Sequence, residues 1–300
     1  MLERSDVEQE YGIHILEQVK VRDVYRLITQ DHGILCLKSY SISKREIRFI
    51  TQIYNHLEKN GFIYGPKTLL TQNGRNWITR DGVHYMLTNW VEGGSPDFNH
   101  RDMFKKALRK LAQFHQAAQG MLAEGAPEAR TRYNKLVERM TSYQSLLDEN
   151  PDMDHFITMN HKAIEYLGHP KVIKAIEQEQ AAGAFVHGDF NYPNLVLDGS
   201  DSLHLIDFEN TSLHVRMLDF SHILHRNFPW QGKEILHWVE YYDRKRSLSA
   251  EDLHLLYALL LVPYPIIREL KRIKKGQHVK IMVPSDEQIN HYKKELRALR

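Results

Sequence analysis

Cysteine is all but missing from this 300-residue chain: Cys36 is the only one. A single thiol excludes an internal disulfide and suits a reducing compartment, so synthesis in the cytoplasm is expected. Long apolar runs are missing too. None approaches the roughly 20 residues that span a bilayer. The longest, 255–267, is interrupted by tyrosine and two prolines and reads as a buried helix and its exit. The first residues, Met1-Leu2-Glu3-Arg4-Ser5-Asp6, are polar and hold no signal-peptide apolar core. Charge is nearly balanced at +2, too little to draw the chain to nucleic acid or an anionic membrane. Neither partner is expected. No internal repeat or low-complexity linker stands out. The remaining composition, 42% apolar and 26% charged, is ordinary for a globular protein with one large core or two smaller lobes.

Strand signals dominate the first part of the chain. Segments 24–29 and 34–38 flank Asp31-His32-Gly33 as a hairpin, and Cys36 is then a small strand residue. Residues 43–59 predict a helix with Ile47, Ile50, Ile53, Tyr54 and Leu57 on one face, closed by Gly61. Gln72-Asn73-Gly74 and Arg80-Asp81-Gly82 are further hairpin signals. Glu92-Gly93-Gly94-Ser95-Pro96 is the clearest break. It sets an expected boundary between a sheet lobe at 1–93, with one helix and the inter-lobe connector, and a helical lobe at 94–300. Helical patterns follow at about 100–122, 127–149, 152–181, 214–226, 231–243, 249–275 and 285–299. The expected class is α+β: a small antiparallel-sheet lobe and a larger helical lobe.

The most informative stretch is His187-Gly188-Asp189, with Asn194 five residues after the aspartate and Asp207-Phe208-Glu209 beginning thirteen further on. Phosphoryl transfer needs a carboxylate to orient the attacking hydroxyl, and Asn and Asp oxygens to hold the metal that neutralises the phosphates. Between them, apolar runs 195–197 and 203–206 flank Asp198-Gly199-Ser200-Asp201-Ser202 and predict a hairpin. Folding it brings Asn194 opposite Asp207, a separation that one magnesium ion bridges with waters and phosphates.

Segment 186–196, Val-His-Gly-Asp-Phe-Asn-Tyr-Pro-Asn-Leu-Val, resembles the catalytic loop of aminoglycoside phosphotransferases, choline kinases and bacterial homoserine kinases. Leu205-Ile206-Asp207-Phe208-Glu209 is similar to their metal-binding segment. Within that superfamily the chain looks most like the spore-coat-associated CotS group of endospore-forming bacteria. The resemblance implies a two-lobed protein-kinase-like fold that binds ATP and Mg2+ between its lobes. It implies Asp189 as catalytic residue, Asn194 and Asp207 as magnesium ligands, and Lys38 as the contact to the α- and β-phosphates. Glu46 is the natural partner for Lys38. Yet Ser43-Lys44-Arg45-Glu46 is also a capping box, which competes for the same side chain. His187 is expected to support the catalytic loop, and an acid at Asp219 to anchor it.

Other features have plainer readings. No G-x-G-x-x-G precedes Lys38; 20–25 reads Lys-Val-Arg-Asp-Val-Tyr, which argues against a protein-kinase subtype more than against ATP. Residues 88–92 are expected to connect the lobes and offer backbone to adenine. His100-Arg101-Asp102 spells a kinase tripeptide, but Ala107 stands where Asn is required, so Asn99 or Asp102 is read as a helix cap. His222 and His225 lack a third ligand at zinc spacing. The basic run 271–275 suits a helix C-terminus. Trp230, Tyr241 and Tyr242 either line an acceptor pocket or fill the core. No dense acidic cluster marks an aminoglycoside site. The leading expectation is phosphotransfer to a hydroxyl of a small molecule or coat component, with nucleotide, acceptor and other coat proteins as partners and assembly into the spore coat. The alternative is a catalytically inactive, kinase-shaped structural protein of the coat.

Overall fold

A computed structural model describes residues 2–121, 125–150 and 153–300. The chain begins with helix α1 (Arg4–Tyr11), strands β1 (Ile15–Val21), β2 (Val24–Thr29) and β3 (Ile34–Tyr40), helix α2 (Lys44–Lys59), and strands β4 (Ile78–Arg80) and β5 (Val83–Asn89). Helices α3 (Arg101–Ala117), α4 (Leu136–Asp148), α5 (Asp154–Leu167) and α6 (Pro170–Ala181) follow. Four short strands come next: β6 (Phe185–Val186), β7 (Leu195–Leu197), β8 (Leu203–Leu205) and β9 (Ser212–Leu213). The chain ends with α7 (Met217–Asn227), α8 (Gly232–Asp243), α9 (Ala250–Leu261), α10 (Tyr264–Lys274) and α11 (Asp286–Leu296). The class is α+β, as expected.

Two compact units form. Of the described residues, the first holds 2–96, 125–127 and Tyr192–Glu209, and the second holds the others. The β7–β8 hairpin therefore groups with the sheet, whereas the expected division at residues 93 and 94 left it with the helices. Backbone bonds are the reason: Leu205 N–H donates to Tyr64 O at 2.8 Å, and Gly94 and Leu197 exchange N–H···O bonds at 3.2 and 2.8 Å.

The sheet of the first unit runs β1-β2-β3-β5-β4, antiparallel throughout. Its core packs Val7, Tyr11 and Ile13 against Ile15, Leu27, Leu35, Leu37, Ile78 and Leu87. Helix α1 and strand β1 were not anticipated. As an edge strand, β1 buries only Ile15 fully, so it lacks the alternation that betrays a half-buried strand. Helix α2 starts at Ser43 and buries Ile47, Ile50, Ile53, Tyr54 and Leu57, as its spacing predicts. Asp81 (φ 51°) and Gly82 (φ 76°) make the tight β4–β5 turn, a connection that requires positive φ at both positions. The Gln72-Asn73-Gly74 signal makes a turn but no hairpin: Thr71 N–H bonds Arg75 O at 2.8 Å, and no named strands flank it.

In the second unit, two expected helices are each split by proline. Pro170 opens α6 after Gly168-His169, and Pro263 separates α9 from α10. Residues 122 and 152, at the ends of two expected helices, lie outside the described residues. Helix α9 is apolar on nearly every side and is buried along Leu255–Leu261 residue by residue. No single helix among the described residues is long and apolar enough to cross a membrane; α9 and α10 qualify only as a pair bent by 47°. Strands β6 and β9 pair antiparallel, with Val186 opposite Ser212, and β6 leads directly into the His187-Gly188-Asp189 loop.

Candidate active site

The second unit carries the loop that holds Asp189. Asp219, on α7, is fully buried and accepts two backbone hydrogen bonds, from His187 N–H at 2.7 Å and Gly188 N–H at 2.9 Å. Gly188 has φ 84°, and a Cβ there would collide with the Asn210 carbonyl, so glycine is required. His187 is buried and its Nδ1 accepts from Asp189 N–H at 3.3 Å. Thr211 Oγ1 ties the loop's start by donating to Val186 O at 2.7 Å. The expected supporting roles of Asp219 and His187 match this arrangement.

Burial pushes the Asp219 carboxyl up to about 6 and Asp189's charge adds to it, while His187 and the two backbone N–H donors oppose the rise. His115 Nε2 lies 3.7 Å from Asp219. Burial and the nearby Arg246 and Arg216 keep that imidazole neutral, so the approach is no ion pair.

Asp189 itself meets Arg226 of α7, whose guanidinium lies 2.8 Å from Oδ1. Arg226 escaped the sequence reading. The signal was available: Arg226 is seven residues after Asp219, two turns along one helix face. Desolvation would lower the Arg226 pKa, but Tyr264 and Asp189 more than offset it and hold the group charged.

The first unit carries Lys38, Glu46, Asn194 and Asp207. The β7–β8 ladder pairs Leu195 with Leu205, and Ile206 N–H donates to Asn194 O at 3.0 Å. The hairpin thus places Asn194 beside the residue that precedes Asp207. Asp207 holds φ 63°, a left-handed conformation uncommon for a non-glycine residue and concentrated at functional sites. Lys38, nearly buried within β3, donates to Asp207 Oδ1 at 2.6 Å and lies 3.1 Å from Glu209 and 3.9 Å from Asp23. Burial alone would lower the Lys38 pKa; Asp207 and Glu209 outweigh it and raise the pKa above its ordinary value. Phe208, between the two acids, is buried edge-on against Tyr54 of α2 at 5.3 Å.

Glu46 fills the capping role. Its Oε2 accepts from Ser43 N–H at 3.1 Å and Ser43 Oγ at 3.0 Å, while its own N–H donates to Ser43 Oγ at 3.3 Å. The carboxylates described against Lys38 are Asp207, Glu209 and Asp23. In the connector, Asn89 N–H is taken by Lys67 O and Trp90 N–H by Ile34 O.

Other expectations change. Neither Asn99 nor Asp102 caps α3. His100 is the cap residue without a side-chain bond; Asn99 folds onto Asp97, and Asp102 pairs with Lys105 at 3.0 Å. His222 stacks on Tyr264 at 4.4 Å, and His225 Nε2 meets Leu259 O at 3.3 Å. Tyr242 is core, its hydroxyl 2.6 Å from His115 Nδ1, whereas Trp230 lines a cavity.

Comparison with known proteins agrees with this geometry. Residues 19–254 match the model of the phosphotransferase enzyme family APH, and the chain belongs to that family. It is similar to spore coat protein S of Bacillus subtilis, 21% identical over 258 residues, covering 79% of this chain and 73% of that protein. Among solved structures, an aminoglycoside phosphotransferase from Alicyclobacillus acidocaldarius superposes with a TM-score of 0.75 at 17% identity, covering 100% of this chain and 94% of the other. An amicoumacin kinase solved with AMP-PNP and Ca2+ gives a TM-score of 0.66 at 12% identity, covering 98% and 91%. At these identities the structural likeness establishes the fold: kinase-like, of the aminoglycoside phosphotransferase type.

Proposed function

We propose that the chain is an ATP- and magnesium-dependent phosphotransferase that moves the γ-phosphate to a hydroxyl, working in association with the spore coat. The observation that carries this reading is Asp207, held at φ 63° with its carboxylate 2.6 Å from Lys38. A merely structural hairpin needs neither the strained aspartate nor a buried lysine beside it.

The donor set suits magnesium. Asp207, Glu209 and the Asn194 amide offer only hard oxygens. No cluster of three or more His, Cys, Asp or Glu residues that could hold a metal is present among the described residues. A magnesium ion there would be held by one or two carboxylates together with substrate phosphates. Bound there, magnesium supplies neutralisation of the phosphate charge. Lys38 would donate to the phosphates, exchanging its bonds to Asp207 and Glu209 for them. Asp189 would accept the hydroxyl's proton in a hydrogen bond and aim its oxygen. Arg226 holds the direction of the Asp189 carboxylate through its 2.8 Å contact, and Asp219 fixes the loop through the backbone. Similarity to spore coat protein S supports the coat association.

A second reading, an inactive coat scaffold, is favoured by one observation. The β1–β2 turn is only Arg22-Asp23, has no glycine, and puts Asp23 at 3.9 Å from Lys38, an acid where phosphate charge would come. Magnesium-dependent ATP turnover with a panel of hydroxyl acceptors tests the choice. Turnover that falls by about 10²–10⁴ in Asp189→Asn, with nucleotide binding spared, supports the enzyme. Equal turnover in both proteins removes Asp189 from the chemistry, and none in the wild type favours the scaffold.

A further inference from the structure

A cavity of about 470 Å³ opens in the second unit, walled by α7, α10 and the segment that follows α10. Arg226 is part of its wall, and the same guanidinium lies 2.8 Å from Asp189. Arg226 thus links the cavity wall to the carboxylate assigned to orient the acceptor, which itself lies behind that guanidinium rather than in the wall. Its volume is that of a small-molecule site.

Its charge is one-sided. Arg226, Arg268, Arg272 and Lys280 line it, against one carboxylate, Glu269. That carboxylate is shared by two of the cations: Arg268 reaches Glu269 Oε1 at 3.0 Å and Arg272 reaches Oε2 at 2.8 Å. Arg268 and Arg272 sit one turn apart on α10, and Lys280 has no anionic partner among the described residues. The Arg226 Nε is buried without a hydrogen-bond partner. Aromatic surface completes the wall. Trp230 is held at φ 63°, strained for so bulky a residue, and packs on Phe156 and Tyr292; Tyr264 stacks on His222.

We propose that this cavity is the acceptor site, and that the acceptor carries an oxyanion (a carboxylate or a phosphate) on an apolar or aromatic body beside its hydroxyl. A cationic acceptor would meet four cationic side chains and a single carboxylate already engaged twice. An oxyanion instead gains charge-assisted hydrogen bonds from planar guanidinium forks. The assignment rests on Asp189 being the residue that orients the hydroxyl.

Three probes of one shape decide it: para-hydroxymethyl benzoate, para-hydroxymethyl phenylphosphonate and para-hydroxymethyl benzylamine. Their binding to the full chain is measured by calorimetry, with the same titrations on the Arg268→Gln/Arg272→Gln double variant. Their side chains are 39% and 44% exposed and neither fills the core, so the fold is expected to tolerate the change. The proposal expects at least one oxyanion probe to bind, the stronger of the two identifying the source. It expects the amine to bind at least about tenfold more weakly, and the double variant to lose about tenfold for the oxyanion. An amine that binds as well as the oxyanions overturns it, as do oxyanions that bind the variant unchanged or do not bind at millimolar concentration. Magnesium-ATP titrated into the same preparation separates the two claims: its failure counts against the phosphotransferase reading, while the probes alone decide the cavity.

Discussion

The candidate residues of the two units are held by different physics. In the second unit, the Asp189 loop is set by backbone: a fully buried Asp219 takes two N–H groups, glycine fills a place no side chain fits, and a buried imidazole takes a third N–H. Such bonds do not depend on a ligand, and removing the acceptor would leave buried donors unsatisfied. In the first unit, the segment proposed to bind metal is set by charge: one ammonium between Asp207 and Glu209, with a third acid nearby. Those are the bonds that phosphate and metal would replace under the proposed function. The contrast teaches that the group proposed to orient a hydroxyl is pre-organised, while the groups proposed to hold a charged cofactor are balanced against each other.

Breaking the backbone-set half should cost the most. Asp219 has its pKa raised from 3.8 to about 6 in the folded protein by burial. A raised carboxyl contributes stability that is fully present below the unfolded value and lost as pH rises through the folded one. Relative to Asp219→Asn, the wild type should therefore lose on the order of 3 kcal/mol as pH climbs from about 4 to about 6. Denaturant unfolding at several pH values measures this, and a flat or rising difference would contradict it.

Breaking the charge-set half should cost affinity instead. Lys38→Met leaves Asp207 and Glu209 facing each other without a cation. ATP affinity should fall by tenfold or more, the loss expected for one charge-assisted contact of about 1.5–3 kcal/mol. Unchanged affinity by calorimetry would take Lys38 out of the phosphate site.

The smallest effect sharpens the boundary of that half. Glu46→Gln keeps the capping box, because glutamine serves the same bond, but removes the charge. If the cap is what Glu46 does, both thermal stability and ATP affinity should stay within about 0.5 kcal/mol of the wild type. A drop in affinity alone would restore Glu46 as a partner of Lys38.

Much of this is legible in the sequence. The α2 helix, the β2–β3, β4–β5 and β7–β8 hairpins, and the meeting of Asn194 with the Asp207 end all follow from local signals: a capping serine, apolar spacing, and turn residues. What escaped is what local pattern does not encode. Strand β1 lies at a sheet edge and buries one residue fully, so its sequence looks polar. The split of 152–181 and 249–275 was written in Pro170 and Pro263, but continuous apolar periodicity on both sides masked it. The grouping of the β7–β8 hairpin with the sheet depends on backbone bonds to Tyr64 and Gly94, more than a hundred residues away in sequence. The competition between Lys38 and Ser43 for Glu46 was visible, and geometry shows the cap formed. Arg226 needed only the helical repeat from Asp219.

The most direct test of the central claim is ATP binding by calorimetry, with and without magnesium, on the wild type and Asp207→Ala. The account expects binding that requires magnesium and is weakened at least tenfold in the variant, because Asp207 both holds the metal and balances Lys38. Binding that ignores magnesium and survives Asp207→Ala, or no binding at millimolar ATP, would contradict it and leave a kinase-shaped protein without a working nucleotide site.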